Sequence, residues 1–206
     1  NRIAKYIRNP ESKTSLDYGH GGGRMLDAAC RHFKFSYGYD IHNCNERVRK
    51  EIQKRGQNNF ELIQGNGEYI PLENNTVDVV YSFIVLCHIE KIRIFKKIVS
   101  EFYRVLNKGG ICIFYYARIS KFSISKKSLS LFMIDRFLES ILTFPKGYFE
   151  KKARVNDFNL YVTNWFVKKL CKKLGFKILN TDISRKKVPD GASLYGGQNC
   201  IILQKL

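Results

Sequence analysis

The chain is 206 residues long, enough to bury one sizeable core and too short for two ordinary domains. Its 44% hydrophobic and 26% charged composition excludes wholesale disorder, and no apolar run reaches the roughly 18 residues of a membrane span. The net charge of +18 is uneven, because residues 1–103 carry 16 Lys and Arg against 12 Asp and Glu while residues 104–206 carry 20 against 6. The excess in the C-terminal half suits RNA or another anionic partner, or else a plainly solvated face. Asn1 to Pro10 lacks an apolar stretch of signal-peptide length, so the expected location is the cytoplasm. The six cysteines form no CxxC or CxxH pair and read as reduced core residues.

In chain order, Ser15 to Tyr18 reads as a short strand, followed by Gly19, Gly21, Gly22 and Gly23 and then a helical pattern from Arg24 through His32. Phe35 to Ile41 is a second strand, Asn43 to Arg55 a second helix and Phe60 to Gln64 a third strand. Val77 to Phe83, β-branched and aromatic almost throughout, predicts a fourth strand buried on both faces. The apolar stripe from Ile92 to Leu106 predicts a helix that Gly109 and Gly110 stop, with Ile111 to Ala117 as the fifth strand. Strands alternating with helices imply parallel strands joined by right-handed crossovers, a doubly wound α/β fold. Beyond Arg118 the pattern changes: Ile119 to Asp157 shows no clear strand and one amphipathic helix, about Leu129 to Leu142. Thr163 is placed to cap a helix running to Leu174, with Gly175 as its stop. Phe176 to Ile183 and Asn199 to Leu203 complete the strands.

The densest signal is Leu16-Asp17-Tyr18-Gly19-His20-Gly21-Gly22-Gly23-Arg24. A G-x-G-x-x-G dinucleotide fingerprint fails in both registers, because Arg24 or Leu26 stands where the third glycine belongs. The spacing that fits is D-x-G-x-G-x-G, and with it the chain resembles the class I S-adenosylmethionine-dependent methyltransferases, in particular the type 11 subgroup. Four further blocks follow in that family's order: Tyr37 to Ile41, Gln64 to Leu72, Asp78 to Ser82 with the turn after it, and Arg104 to Gly110.

The resemblance implies a Rossmann-like, seven-stranded, mostly parallel sheet with helices on both faces, the last strand antiparallel and a helical insertion after the fifth strand. One domain then spans 1–206, with a cofactor half over 1–118, an insertion or lid over 119–160 and a helix with a strand pair over 161–206. It implies S-adenosylmethionine as cofactor, with Asp17, Gly19, Gly21 and Gly23 around its methionine end. Asp40 and Ile41 would meet the ribose, where a carboxylate accepts from both hydroxyls at once, and Asn66, Gly67, Ser82 and Phe83 the remainder. Two positions depart from the family pattern: Asn66 replaces an aspartate, and Asn107-Lys108 replaces a lysine-proline pair. His88, just past the fourth strand, is the candidate base for a hydroxyl acceptor. His20 reads as structural. Tyr115, Tyr116 and Arg118, ending the fifth strand, are candidates to line the acceptor pocket.

The expected acceptor is an O or N atom of a small molecule or sugar, supported by a short likeness of Tyr195-Gly196-Gly197-Gln198 to loops in methyltransferases of surface-polysaccharide pathways. The alternatives are an RNA or protein methyltransferase using the basic half, disfavoured because Ser82-Phe83-Ile84-Val85 stands where an N-P-P-Y tetrapeptide would, and a non-catalytic partner subunit. No His, Asp and Glu cluster at ligand spacing is visible, so no metal is expected.

Overall fold

The computed structural model describes residues 4–118, 146–152, 158–183 and 198–206. Nine strands and four α-helices follow one another as β1 Thr14–Tyr18, α1 Arg24–Cys30, β2 Phe35–Asp40, α2 Asn45–Lys54, β3 Phe60–Gln64, β4 Val77–Ser82, α3 Ile92–Val105, β5 Leu106–Ala117, β6 Tyr148–Glu150, β7 Leu160–Val162, α4 Asn164–Lys173, β8 Phe176–Ile183 and β9 Gln198–Lys205 among the described residues. Strands β3, β2, β1, β4 and β5 lie side by side and parallel. Strand β9 runs antiparallel along β5 from Ile111↔Gln204 to Ala117↔Gln198, and β8 pairs antiparallel with β9. These seven strands are the predicted sheet with its antiparallel last member.

Chain order reverses at β1, with β2 on one side and β4 on the other. In open α/β sheets that reversal leaves a crevice beyond the carboxyl ends of the strands. The larger core packs α3 and α4 against one face through Phe95, Ile98, Val99, Phe102, Val167 and Cys171, all buried. On the other face, α1 supplies Ala29 to a cluster with Val79, Tyr81, Ile113 and Ile202. β4 is buried at five of its six positions, as its continuous apolar run predicts.

Two local readings change. Helix α3 ends at Val105, and Leu106 is already extended at φ −69° and ψ 139°, so Gly109 and Gly110 do not stop the helix. The pairing Val77↔Leu106 draws the chain into β5 first, and Lys205 Nζ, donating to the carbonyls of Tyr103 and Leu106 at 2.7 Å each, caps the helix end from β9. β6 lies inside a span that showed no strand. It pairs antiparallel with β7, which meets the end of β5 at Ala117↔Tyr161. Both are three residues long, too short for a period to show. The Thr163 cap is present, its Oγ1 accepting from Phe166 N. The helix predicted over 129–142, and with it the lid, lies outside the described residues, as does the loop of Tyr195 to Gly197. No helix among the described residues is long and apolar enough to cross a membrane.

Candidate active site

Asp17 and Tyr18 end β1, and the chain must turn sharply to enter α1. Gly19, Gly21 and Gly23 take φ of +84°, +52° and +78°, where an L side chain is strained. Gly19 N donates to Tyr39 O at 2.7 Å, which pins the bend to the end of β2. A Cβ on Gly19 would lie 2.2 Å from Val85 Cγ2, whereas one on Gly21 would meet nothing within 4 Å. The bend is therefore closed below Gly19 by the turn after β4 and open above Gly21. Gly23 packs elsewhere, against Val48 and Ile52 of α2.

Asp40 ends β2 beside this bend. Its Oδ2 accepts from Gly21 N at 2.8 Å and its Oδ1 from Ile41 N at 2.7 Å. Asp17 lies beneath, 2% exposed, with Oδ2 unpartnered. Burial, and secondarily the Asp40 charge, pushes its pKa up to about 8.

The opposite wall is the 65–72 loop after β3. The rings of Tyr18 and Tyr39 stack at 5.0 Å because β1 and β2 pair them in register. Tyr18 donates to Gly67 O at 2.6 Å, and Tyr39 accepts from Gly67 N at 2.8 Å. Glu101 and Arg104 of α3 hold the loop from behind: Glu101 Oε2 accepts from Ile70 N, and Arg104 donates to Ile70 O, to Leu72 O and to both oxygens of Glu101. Arg104, matched above only as part of a family block, thus acquires a physical task.

Asn66 Oδ1 accepts from both Glu68 N and Tyr69 N, at 3.0 and 3.1 Å. A carbonyl oxygen has two lone pairs, so this one is filled, and Nδ2 is the group Asn66 has left to offer.

Between bend and loop opens a cleft of about 590 Å³ lined by Gly19, Gly21, Asp40, Ile41, Asn66 and Gly67, with Phe83, Ile84, Val85 and His88 from the turn after β4. That volume is ordinary for a cofactor site. Ile84 stands at φ +60° and 42% exposed, a strained conformation for a β-branched residue.

The remaining predicted positions are dispersed. Ser82 is buried and donates to Tyr18 O at 2.9 Å, bracing β4 on β1. His88 lines the cleft with its ring 5.8 Å from that of Phe158, and its carbonyl accepts from Asn159 Nδ2. Tyr115 packs on Phe83 with centroids 5.2 Å apart. Tyr116 belongs to the main core, its hydroxyl donating to Asn164 Oδ1, and Arg118 is buried. Sequence reasoning missed the Tyr18–Tyr39 clamp, and also His42, whose Nε2 donates to Gly21 O at 3.0 Å.

The sheet, the reversal at β1 and a carboxylate against a glycine bend define an α/β protein built to hold a nucleoside-bearing cofactor. The sequence matches the family described as a methyltransferase domain over residues 16–114, from within β1 to within β5. Over those residues the chain carries a methyltransferase domain of the class I, type 11 kind, and S-adenosylmethionine is the cofactor that this domain and fold imply.

No curated protein matches it in sequence. Among solved structures it is similar to a SAM-dependent methyltransferase from Methanosarcina mazei at 19% identity and a TM-score of 0.69, covering 100% of this chain and 97% of that one. It is similar also to S-adenosylmethionine-dependent methyltransferases from Clostridium acetobutylicum, at 13% and 0.68, covering 99% and 87%, and from Mesorhizobium loti, at 12% and 0.66, covering 99% and 96%. At these identities the likeness is one of fold.

The residues present fit the cofactor. The space over Gly21 and Gly22, where no atom would meet a Cβ, leaves main chain open to a ligand, and Asp40 places a carboxylate at its edge.

Proposed function

We propose that the chain transfers the methyl group of S-adenosylmethionine to an oxygen or nitrogen of a small molecule or sugar. The single observation carrying this reading is the Asp40 carboxylate docked at 2.8 Å on the main chain of the glycine bend, facing the loop of Asn66 and Gly67 across one cleft.

The cofactor supplies an electrophilic methyl on a sulfonium, and displacement there removes a positive charge, so alignment and a dry site provide much of the rate. Asp40 would accept from the ribose hydroxyls. Asn66 has Nδ2, a donor, left to offer and would address a ring nitrogen of adenine, where an aspartate would accept from the amino group. Phe83, Ile84 and Val85 bring apolar surface against the reacting end and exclude water. His88, lining the same cleft beyond them, takes the proton of a hydroxyl acceptor on an imidazole nitrogen.

Calorimetry with S-adenosylmethionine on the wild type and on Asp40→Ala tests binding. A loss of affinity of about 10- to 100-fold, as expected for one charged hydrogen-bond acceptor, supports the site; equal affinity refutes it. Turnover with methyl-labelled cofactor against nucleotide sugars, small metabolites and total RNA tests the acceptor. Labelled RNA alone would transfer the reading to a nucleic-acid substrate.

A further inference from the structure

Two histidines that lie far apart in sequence converge on the carbonyl of Gly21. His20 Nδ1 and His42 Nε2 each donate to Gly21 O at 3.0 Å, and His42 Nε2 stands 3.6 Å from Asp40 Oδ2. The three side chains bring their ligating atoms within 4.8 Å of one another. Tetrahedral zinc with bonds of about 2.0–2.1 Å to N and O separates its ligands by about 3.3 Å, so these spacings bracket that edge.

A second observation is independent of this cage. The Nδ1 proton of His20 is fixed by a carbonyl, which leaves Nε2 bare, and that atom is buried without a partner. Asn45 Oδ1, at the start of α2, is likewise buried and unpartnered, and its amide acts on the His20 ring. As the ring stands, both atoms are acceptors without a donor. A cation on Nδ1 moves the proton to Nε2, where it donates to Asn45 Oδ1 and satisfies both atoms. This is the outer hydrogen bond that metal-bound histidines ordinarily make. On His42 the proton moves to Nδ1, releasing the exposed amide of Cys44 to water.

We propose that His20, His42, Asp40 and the carbonyl of Gly21 form a binding site for a divalent transition metal of zinc type, and that the metal and S-adenosylmethionine exclude each other. The exclusion rests on the proposed role of Asp40 in holding the ribose, since its Oδ2 cannot serve both.

The test is zinc titration by calorimetry of the cofactor-free chain carrying Cys44→Ser, which removes the nearby exposed thiol. One zinc ion per chain is expected. Adding His42→Ala should weaken binding at least about tenfold, and Asn45→Ala, which supplies no donor atom, about tenfold through the outer bond. Cobalt in place of zinc should give the visible spectrum of a tetrahedral site without thiolate. Equal zinc affinity with and without His42 overturns the site.

Cofactor affinity is then measured at rising zinc, each protein against its own zinc-free value. The apparent Kd should rise in proportion to zinc with His42 present and stay flat in His42→Ala. A flat response in both overturns the exclusion. Failure of the cofactor to bind in the absence of zinc would count against the methyl-transfer reading while leaving the zinc titration to be judged by itself.

Discussion

The glycine bend and the 65–72 loop face each other across one cleft, yet they are held in different ways. The bend is shaped by main-chain bonds, Gly19 N to Tyr39 O and Gly23 N to His20 O, and by the lack of side chains at its turns, with Asp40, His20 and His42 bonding it at Gly21 alone. The loop is held by side chains from β1, β2 and α3. A wall fixed from outside is ordered on folding, so little ordering remains at the moment of binding. A wall made of bare backbone lets a ligand approach closely, at the expense of positive φ values and of buried atoms such as Asp17 Oδ2 that lack partners.

Removing the loop's rear support should have the largest effect. Arg104→Ala leaves the Glu101 carboxylate buried without its cation and frees two carbonyls, so a destabilisation of about 3 kcal/mol is expected in chemical denaturation. If the variant keeps wild-type stability, the claim that side chains hold the loop fails.

The bend should respond position by position. Gly19→Ala combines a left-handed backbone cost of about 1–2 kcal/mol with a clash on Val85, which Val85→Ala should partly relieve. Gly21→Ala should incur the backbone cost alone, with its methyl projecting into the cleft, and should lose cofactor affinity out of proportion to stability. Equal behaviour of the two variants would erase the distinction between a closed and an open side of the bend.

Asp17 gives the pH arm. The folded chain keeps its proton up to about pH 8, while in the unfolded chain it leaves near 3.8, so the folded state binds more protons between those values and stability falls as pH rises across them. Asp17→Asn should flatten that slope in melting curves from pH 4 to 8 and be the more stable protein above it. An unchanged slope would show that Asp17 ionises freely. The smallest effect should come from Tyr39→Phe, which removes one acceptor from Gly67 N. A loss of about 1 kcal/mol and a modest rise in cofactor Kd are expected, because Tyr18 still holds the Gly67 carbonyl.

What was legible in the sequence follows from range. The glycine bend and Asp40 are short-range patterns, each at the end of a strand whose apolar alternation is plain, and five strands could be ordered on that basis. The Tyr18–Tyr39 clamp depends on the register of two strands, and Arg104 acts on carbonyls more than thirty residues away, so neither could be read from spacing. The same holds for the histidines: 20 and 42 belong to different turns, and only the parallel pairing of β1 with β2 brings those turns together. The end of α3 was misplaced because glycine was weighed above the strand pairing that draws Leu106 away.

Five of the six cysteines are buried, and Cys44 alone is exposed, two residues beyond His42, which lines the cleft. A maleimide dye applied to the folded protein therefore has one address. Its fluorescence would report whatever enters beside it, with no engineered handle and no knowledge of the acceptor.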